Sequence, residues 1–300
     1  MIYLIGEIFA LLTAVCWAQN AVLFTLAGRK VSSRTTTHIR LWIALPLILI
    51  VHLIFFGTIL PFDANIYGVL YLAISGIVGF FIADLMIFEA FVKIGPRDTM
   101  LIMTLSPIFG AIFSWVILSE TLMLIHIFAI FVTIFGISLV IFEEKESRKP
   151  KKDKVKLIGI MIALGGAIGQ ALGLVFSKMG LNYEIHPISA NTIRLIAGFI
   201  GLSLYTFLHG EFKKDFKKMV KHKKSFVFIF FASLIGPVLG VIFSLYAVKH
   251  APVGIASTLM QTSPIILLPI DRIVFKQKIT PRAIIGTIIA VIGASMFFLF

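Results

Sequence analysis

The chain has 300 residues, of which 59% are hydrophobic and only 14% are charged, whereas soluble domains carry about 25% charged residues. This composition excludes an ordinary soluble protein and indicates a membrane protein. The net charge of +13 would suggest nucleic-acid binding in a soluble protein, and the single cysteine, Cys16, excludes an intramolecular disulfide and a cysteine-based zinc cluster.

Ten apolar stretches fill almost the whole chain, and each is long enough to cross a bilayer, which takes about 20 helical residues. They lie at about 3–27, 38–57, 66–92, 98–118, 122–142, 157–178, 188–209, 226–249, 254–274 and 280–299. No basic region precedes the first stretch, so we interpret it as a span and not as a cleaved signal peptide. The predicted fold class is an all-α integral membrane protein of ten transmembrane helices.

The basic residues alternate between loops. The loops after the first, third, fifth, seventh and ninth spans hold 24 of the 27 lysine and arginine residues, and the other side has only Lys178, Arg194 and Lys249. The positive-inside rule places the basic loops in the cytoplasm and both termini outside, in a multi-pass protein of the cell membrane. We interpret these loops as contacts with anionic lipid and not with nucleic acid.

Several short motifs recur in the two halves of the chain. Ser106-Pro107-Ile108 returns as Ser263-Pro264-Ile265, and Gly136 returns as Gly293, 29 residues after the proline in both halves. We therefore predict a first five-helix repeat at 1–142, a basic linker at 143–156 and a second repeat at 157–300. Because five is odd, the second repeat is inverted in the membrane, which is typical of transporters with a site near the midplane.

These residues resemble those of the drug/metabolite transporter superfamily, specifically proteins with two EamA domains. The matching positions are Trp17, Arg40, Pro107, Glu120 and Gly136 in the first half, and Gln170, Arg194, Pro264, Gln277 and Gly293 in the second. Gln277 departs from the acid that is usual there, and some members are described with cytoplasmic termini. The resemblance implies a ten-helix bundle, a central cavity, and export or exchange of small metabolites by alternating access.

Asp84 is the strongest candidate for a functional residue, because an ionisable group inside a span normally faces protein or water. In a regular helix Phe81, Asp84 and Phe88 share one face, so the acid could bind a cation or carry a proton between two phenyl rings. A structural hydrogen bond to a neighbouring helix is the alternative.

Polar and aromatic residues in other spans complete the predicted cavity. Besides Asp84 and Phe88, they are Trp17, Asn20, Gln170, Arg194, Tyr246 and Gln261. Arg194 is either paired, for instance with Glu184 or a backbone carbonyl, or recognises an anion. Arg40 lies near an interface, where snorkelling alone would explain it.

Two further sets of residues concern helix geometry. Pro107 and Pro264 are predicted helix kinks that permit gating, because proline frees backbone groups in corresponding helices of the two halves. Gly165, Gly169 and Gly173 follow at four-residue spacing and predict a seam of close helix packing.

The chain contains no HExxH, CxxC, Walker or EF-hand motif, so we expect no metal, no cofactor and no direct use of ATP. The predicted function is secondary transport of amino-acid-like or other polar solutes, in a protein whose partners are a small-molecule solute and the lipid bilayer. Multidrug efflux of lipophilic cations is the main alternative, and a lipid flippase or an intramembrane enzyme are further ones. The sequence leaves the oligomeric state open and is compatible with a monomer.

Overall fold

The computed structural model describes residues 2–28, 31, 33–94, 99, 102–141, 153–210, 212–263, 265, 266, 269, 273 and 280–299. These residues are helical almost throughout, and no strand occurs among them. Most of the linker predicted at 143–156, and Pro264, lie outside the described residues.

The first half contributes six α-helices and a π-helical segment. They are α1 (Ile2–Gly28), α2 (Ser33–Phe56), α3 (Ile66–Gly76), π1 (Ile77–Ala83), α4 (Asp84–Lys93), α5 (Ser106–Leu118) and α6 (Leu124–Ile141). The second half contributes α7 (Asp153–Leu181), α8 (Pro187–Leu208), α9 (Phe212–Lys221), α10 (Lys223–Ser233), π2 (Leu234–Gly240), α11 (Val241–His250), α12 (Val253–Met260) and α13 (Pro281–Leu299).

Several of these helices are long and apolar enough to cross a membrane. Five segments within the described residues meet that length and composition: Thr35–Phe56, Ile66–Ala90, Leu157–Leu181, Pro187–Leu208 and Lys223–His250. Four shorter apolar helices accompany them, at Leu4–Asn20, Ser106–Leu118, Leu124–Leu139 and Pro281–Met296. Large apolar side chains such as Ile54, Val116 and Leu204 are exposed on the outer surface, which suits a surface in contact with lipid.

The two halves interleave instead of packing as separate bundles. α1 of the first half packs against α10, π2 and α11 of the second, and α7 of the second half packs against α3, π1 and α4 of the first. The remaining principal contacts also join the halves, since α2 packs on α8, α5 on α12 and α6 on α13. Each contact between a helix of the first half and one of the second therefore has a counterpart in which the two halves have changed roles.

Small residues make this close packing possible. Ala10, Ala14 and Ala18 form a fully buried row on α1, and the same row recurs on α7 as Ala163, Ala167 and Ala171. Without a hydrophobic force between helices in lipid, such rows favour association by letting backbones approach closely.

The predicted glycine seam of α7 lies against the first half. A Cβ on Gly169 would stand 2.9 Å from Cβ of Ala83, and one on Gly173 would stand 3.4 Å from Cα of Gly79. A Cβ on Gly165 would meet only the flexible end of Met86.

The amphipathic helix α9 is fixed to α2 by a buried carboxylate. The Thr35 hydroxyl donates to Asp215 Oδ1 at 2.7 Å, and His38 Nδ1 lies 2.9 Å from Oδ2. Lys213, Lys214 and Lys217 are exposed on the same helix. This arrangement presents a basic face at one end of the bundle.

Candidate functional site

A cavity of about 280 Å³ lies where helices of both halves meet. Its walls come from α1, α2, π1, α4, α7, α8, π2, α11 and α12, from the start of α5 and the turn before it, and from the residues just after α12. Six of the predicted cavity residues line it, namely Trp17, Asn20, Asp84, Gln170, Arg194 and Gln261.

The two π-helical segments occupy corresponding places in the two halves. π1 begins at Ile77 and π2 at Leu234, 157 residues later, the same offset that separates Pro107 from Pro264. π-helical turns are rare in proteins, and those that do occur are often found at functional sites. The wider turn redirects side chains and frees carbonyl groups. On π2 these carbonyls have a partner, since Asn191 Nδ2 donates to the carbonyl of Pro237 at 2.9 Å.

A second pair of matching irregularities borders the cavity. Residues 104 and 105 form a non-helical turn just before α5, and residues 261 and 262, again 157 positions later, form one just after α12. Pro107 thus stands in the first turn of α5, where proline is tolerated, and the helix is interrupted before it instead of kinked at it. Gln261 Nε2 bridges the two interruptions by donating to the Met103 carbonyl at 3.1 Å.

Asp84 is held by a buried network within the cavity wall. Arg40 Nη2 donates to Asp84 Oδ2, and Gln170 Nε2 donates to the other carboxylate oxygen at 3.1 Å. The side chains of Arg40 and Asp84 are 9% and 11% exposed. Arg40 is therefore a buried partner of the acid, whereas the sequence suggested a residue that reaches the interface.

Arg194 is the other cation of the cavity. The residue is 5% exposed, and its guanidinium carbon stands 5.1 Å from the centre of the Phe80 ring. Its Nε and Nη1 groups have no hydrogen-bond partner among the described residues. Glu184, which we considered as a partner, is exposed in the loop before α8. Gly76 is required here, because a Cβ would overlap the Arg194 carbonyl oxygen.

Two predicted cavity residues lie elsewhere. Phe88 is placed under Arg40, with the guanidinium carbon 5.7 Å from its ring centre, and does not line the cavity. The hydroxyl of Tyr246 lies 2.8 Å from His186 Nε2, and its ring stacks on Phe9 at 4.8 Å. Both aromatic residues therefore lie around the cavity and do not form part of its wall.

The expected face of Phe81, Asp84 and Phe88 is broken by π1. Phe80, not Phe81, lines the cavity with Asp84, and Phe81 packs against Tyr205 with ring centres 5.9 Å apart. A period of 3.6 residues fails across a π-helical segment. The sequence signal that could have found Arg40 was its own charge, a second ionisable group in a span, whereas no signal in the sequence sets Phe80 apart from the other phenylalanines.

Polar contacts join the two halves at the end of the bundle opposite α9. Lys178 forms an ion pair with Glu120 and also donates to the Ala251 carbonyl at 2.7 Å. The second carboxylate oxygen of Glu120 accepts the Val253 amide at 3.0 Å. Glu120, which follows α5, is thus tied both to the end of α7 and to the start of α12.

His186 adds a titratable contact at the same end, outside the spanning segments. Its Nδ1 accepts the Ile188 amide at 3.3 Å and thereby caps α8. Burial lowers the pKa of His186, with smaller contributions in the same direction from Lys249 and His52. Neutral His186 is the form that can accept at Nδ1 and donate to Tyr246.

The comparisons with known proteins give the family through one finding and the fold through another. The model of the EamA-like transporter family matches residues 4–142 and again residues 157–299. No curated protein matches the chain by sequence. Among solved structures, 29 chains match. One, described only as the crystal structure of a protein, has a TM-score of 0.75 at 16% identity and covers 98% of this chain and 96% of its own. At that identity the likeness shows the fold alone.

Proposed function

Because the chain belongs to the EamA-like transporter family, within the drug/metabolite transporter superfamily, we propose that it is a secondary transporter of small polar metabolites. The observation that carries the proposal is the cavity between the halves, with paired π-helices and paired helix interruptions at its wall. Discontinuous helices in corresponding positions are where secondary transporters place their substrate.

In this proposal ten spans form two inverted repeats, with the basic loops in the cytoplasm of a cell-membrane protein. Two features support it: the alternation of basic loops, and the apolar helices of the described residues. The Lys178–Glu120 pair then closes the outer end.

The proposed mechanism is alternating access. The interruptions at 104–105 and 261–262 are the places where helices can change direction without breaking regular backbone hydrogen bonds. Separation of Glu120 from Lys178 opens the outer end, and movement at Pro107 and Pro264 closes the inner one. The interleaving of the halves supports rocking of α1 with α11 against α7 with α4.

Asp84 is the candidate for proton coupling, because its carboxylate contacts both Arg40 and Gln170. Protonation would remove the charge that holds Arg40 and would free that side chain to move. An Asp84→Asn variant should therefore lose the pH dependence of transport, measured as solute uptake into proteoliposomes at several imposed pH gradients. Unchanged pH dependence would remove Asp84 from coupling.

The alternative of lipophilic-cation efflux rested on the acid Asp84 between phenylalanine rings. The Arg40–Asp84 pair weighs against it, because a cation would have to displace a buried guanidinium. We therefore propose metabolite transport ahead of drug efflux.

The test is a solute screen on the purified protein, with amino acids, sugars, nucleotides and lipophilic cations as the four classes. A ligand that favours the native state raises Tm, and the rise grows with the logarithm of the ligand concentration above Kd, so one class should stabilise the protein and be taken up by proteoliposomes. Leu174→Trp, which fills the cavity, should abolish both effects. Leu204→Trp, on the exposed face of α8, is the matched control. Equal uptake by both variants would contradict a cavity route.

A further inference from the structure

We propose that the cavity recognises the carboxylate of an organic monoanion through Arg194, so that the transported metabolites are small carboxylic acids with an apolar body. The inference rests on the proposed transport function and specifies the substrate class of the same site. It follows from a count of charges, from the contacts of each charged group and from the chemistry of the remaining wall.

The charges of the cavity do not balance. Of the described residues that line it, three are charged: Arg40, Asp84 and Arg194. Two cations and one anion leave a net charge of +1 in a compartment surrounded by apolar helices. An uncompensated charge is unfavourable there, so a bound anion of charge −1 would neutralise the site.

The contacts identify which cation is left for the ligand. Both oxygens of Asp84 are engaged, one by Arg40 and the other by Gln170. Arg194 interacts with Asp84 only through space, and its Nε and Nη1 have no hydrogen-bond partner among the described residues. A buried guanidinium with unused donors is suited to a planar oxyanion, because its fork of N–H groups matches a carboxylate.

Arg194 is also held in place before any ligand arrives. Its backbone packs against Gly76, its guanidinium lies over the ring of Phe80, and Asp84 is within electrostatic reach. A fixed donor group loses little entropy on binding, which favours recognition of the anionic head by this residue.

The rest of the cavity wall restricts the chemistry of the part of the ligand beyond its carboxylate. Phe80, Met103, Leu174 and Met260 supply apolar surface around the two arginines, and Gln261 already donates to a backbone carbonyl. A ligand with an apolar body suits this wall. A dianion such as a phosphate monoester would turn the net charge from +1 to −1, and a zwitterion would bring an ammonium group whose natural partner, Asp84, is taken.

The experiment compares three probes that share one apolar body and differ in the head group: phenylacetate, phenylacetamide and 2-phenylethylamine. Each is added to the detergent-purified protein at pH 7.5, with chloride and inorganic phosphate as inorganic anions. Phenylacetate alone should raise Tm, by roughly 5 °C at about 100 times its Kd. Proteoliposomes preloaded with phenylacetate should show counterflow of the radiolabelled acid.

Variants assign the effect to Arg194. Arg194→Gln should abolish stabilisation by phenylacetate, and Arg194→Lys, which keeps the charge but not the fork, should weaken it about tenfold. Arg282→Gln, the same substitution at an exposed position of α13, should leave it unchanged. If Arg194→Gln does not fold, the probe series on the unaltered protein and the Arg194→Lys result still decide.

Other outcomes overturn the inference in distinguishable ways. Stabilisation by phenylacetamide or phenylethylamine to the same degree would show that the head group is not read as an anion, and uptake of those probes would leave the transport proposal standing. Stabilisation by phosphate or chloride alone would identify an inorganic anion site and would overturn the proposed recognition of a carboxylate. If no probe and none of the four solute classes bound or moved, the transport proposal itself would fail.

Discussion

Asp84 and Arg40 show how much depends on single residues inside this bundle. Both side chains are removed from water, so each makes the other tolerable in an apolar surrounding. Pairs of this kind stabilise little relative to two apolar residues, but removal of one partner leaves a buried charge. The pair therefore fixes the shape of the cavity wall more than it adds to overall stability.

Loss of Arg40 alone should be strongly destabilising, whereas loss of both partners should not. Arg40→Gln removes the direct hydrogen-bond partner of Asp84 and leaves the carboxylate only the through-space interaction with Arg194, so it should cost about 3–5 kcal/mol. Arg40→Gln with Asp84→Asn should recover most of that loss. The check is the thermal stability of the single variants and of the double variant in detergent. Additive losses would mean that the two side chains do not depend on each other.

Single elements owe their positions to backbone contact between the halves. Gly136 of α6 faces α13, where a Cβ would stand 2.6 Å from the Gly286 carbonyl oxygen. Gly165 of α7 faces only the end of a methionine side chain, which can rotate away. Two glycines in equally apolar helices thus differ in how well their positions can accept a side chain.

Gly136→Ala should lower Tm by several degrees, while Gly165→Ala should leave it nearly unchanged. The reason is that backbone atoms of α13 cannot yield, whereas Met86 can adopt another rotamer. Both variants gain the same methyl group and the same helix propensity, so each is the control for the other. A similar Tm for the two would contradict close packing of α6 on α13.

The cap of α8 makes one element sensitive to pH. The pKa of His186 lies below its ordinary value, so the neutral form is the one that the folded state favours. The stability contributed by this residue is present above about pH 6.5 and is lost as the pH falls through the lowered pKa.

His186→Asn should remove part of this acid sensitivity. Asparagine also caps a helix N-terminus but does not titrate, so the fall of Tm between pH 7.5 and pH 4.5 should be smaller than in the unaltered protein. Tm of the two proteins, measured across that range, provides the comparison. Parallel curves would show that another group is responsible.

At the scale of the whole molecule, the interleaved halves and the alternating charges define two ends. One end carries the exposed lysines of α9 and the other carries the ion pair of Glu120 and Lys178. By the positive-inside rule we propose that the first end is cytoplasmic.

Single cysteines can test this orientation, because Cys16 is the only cysteine of the chain. In a Cys16→Ser background, Ser119→Cys should react with a membrane-impermeant maleimide on intact cells, and Lys213→Cys should react only after permeabilisation. Both positions are exposed, so accessibility within the fold is matched. The reverse pattern would invert the topology.

The sequence by itself determined the class of protein, because hydrophobicity, span length and repeated motifs are local properties. The family match and the all-helical structure of the described residues confirm that the protein is a membrane transporter of the EamA-like family with two repeats. The sequence also singled out Trp17, Asn20, Asp84, Gln170, Arg194 and Gln261, all of which line the cavity. Polar groups in apolar spans are visible without any structure, because their insertion is unfavourable.

Only the tertiary structure decided which of these groups meet. Arg40 and Gln170 reach Asp84 from 44 and 86 residues away, and no local pattern encodes that separation. The π1 segment breaks the expected face of Phe81 and Asp84, so that Phe80 lines the cavity instead of Phe81, and the packing of the helices leaves Phe88 and Tyr246 outside the cavity wall. Periodicity assumes a constant turn, and pairing between helices depends on how the halves pack. These two physical facts separate what the sequence could predict from what the fold had to supply.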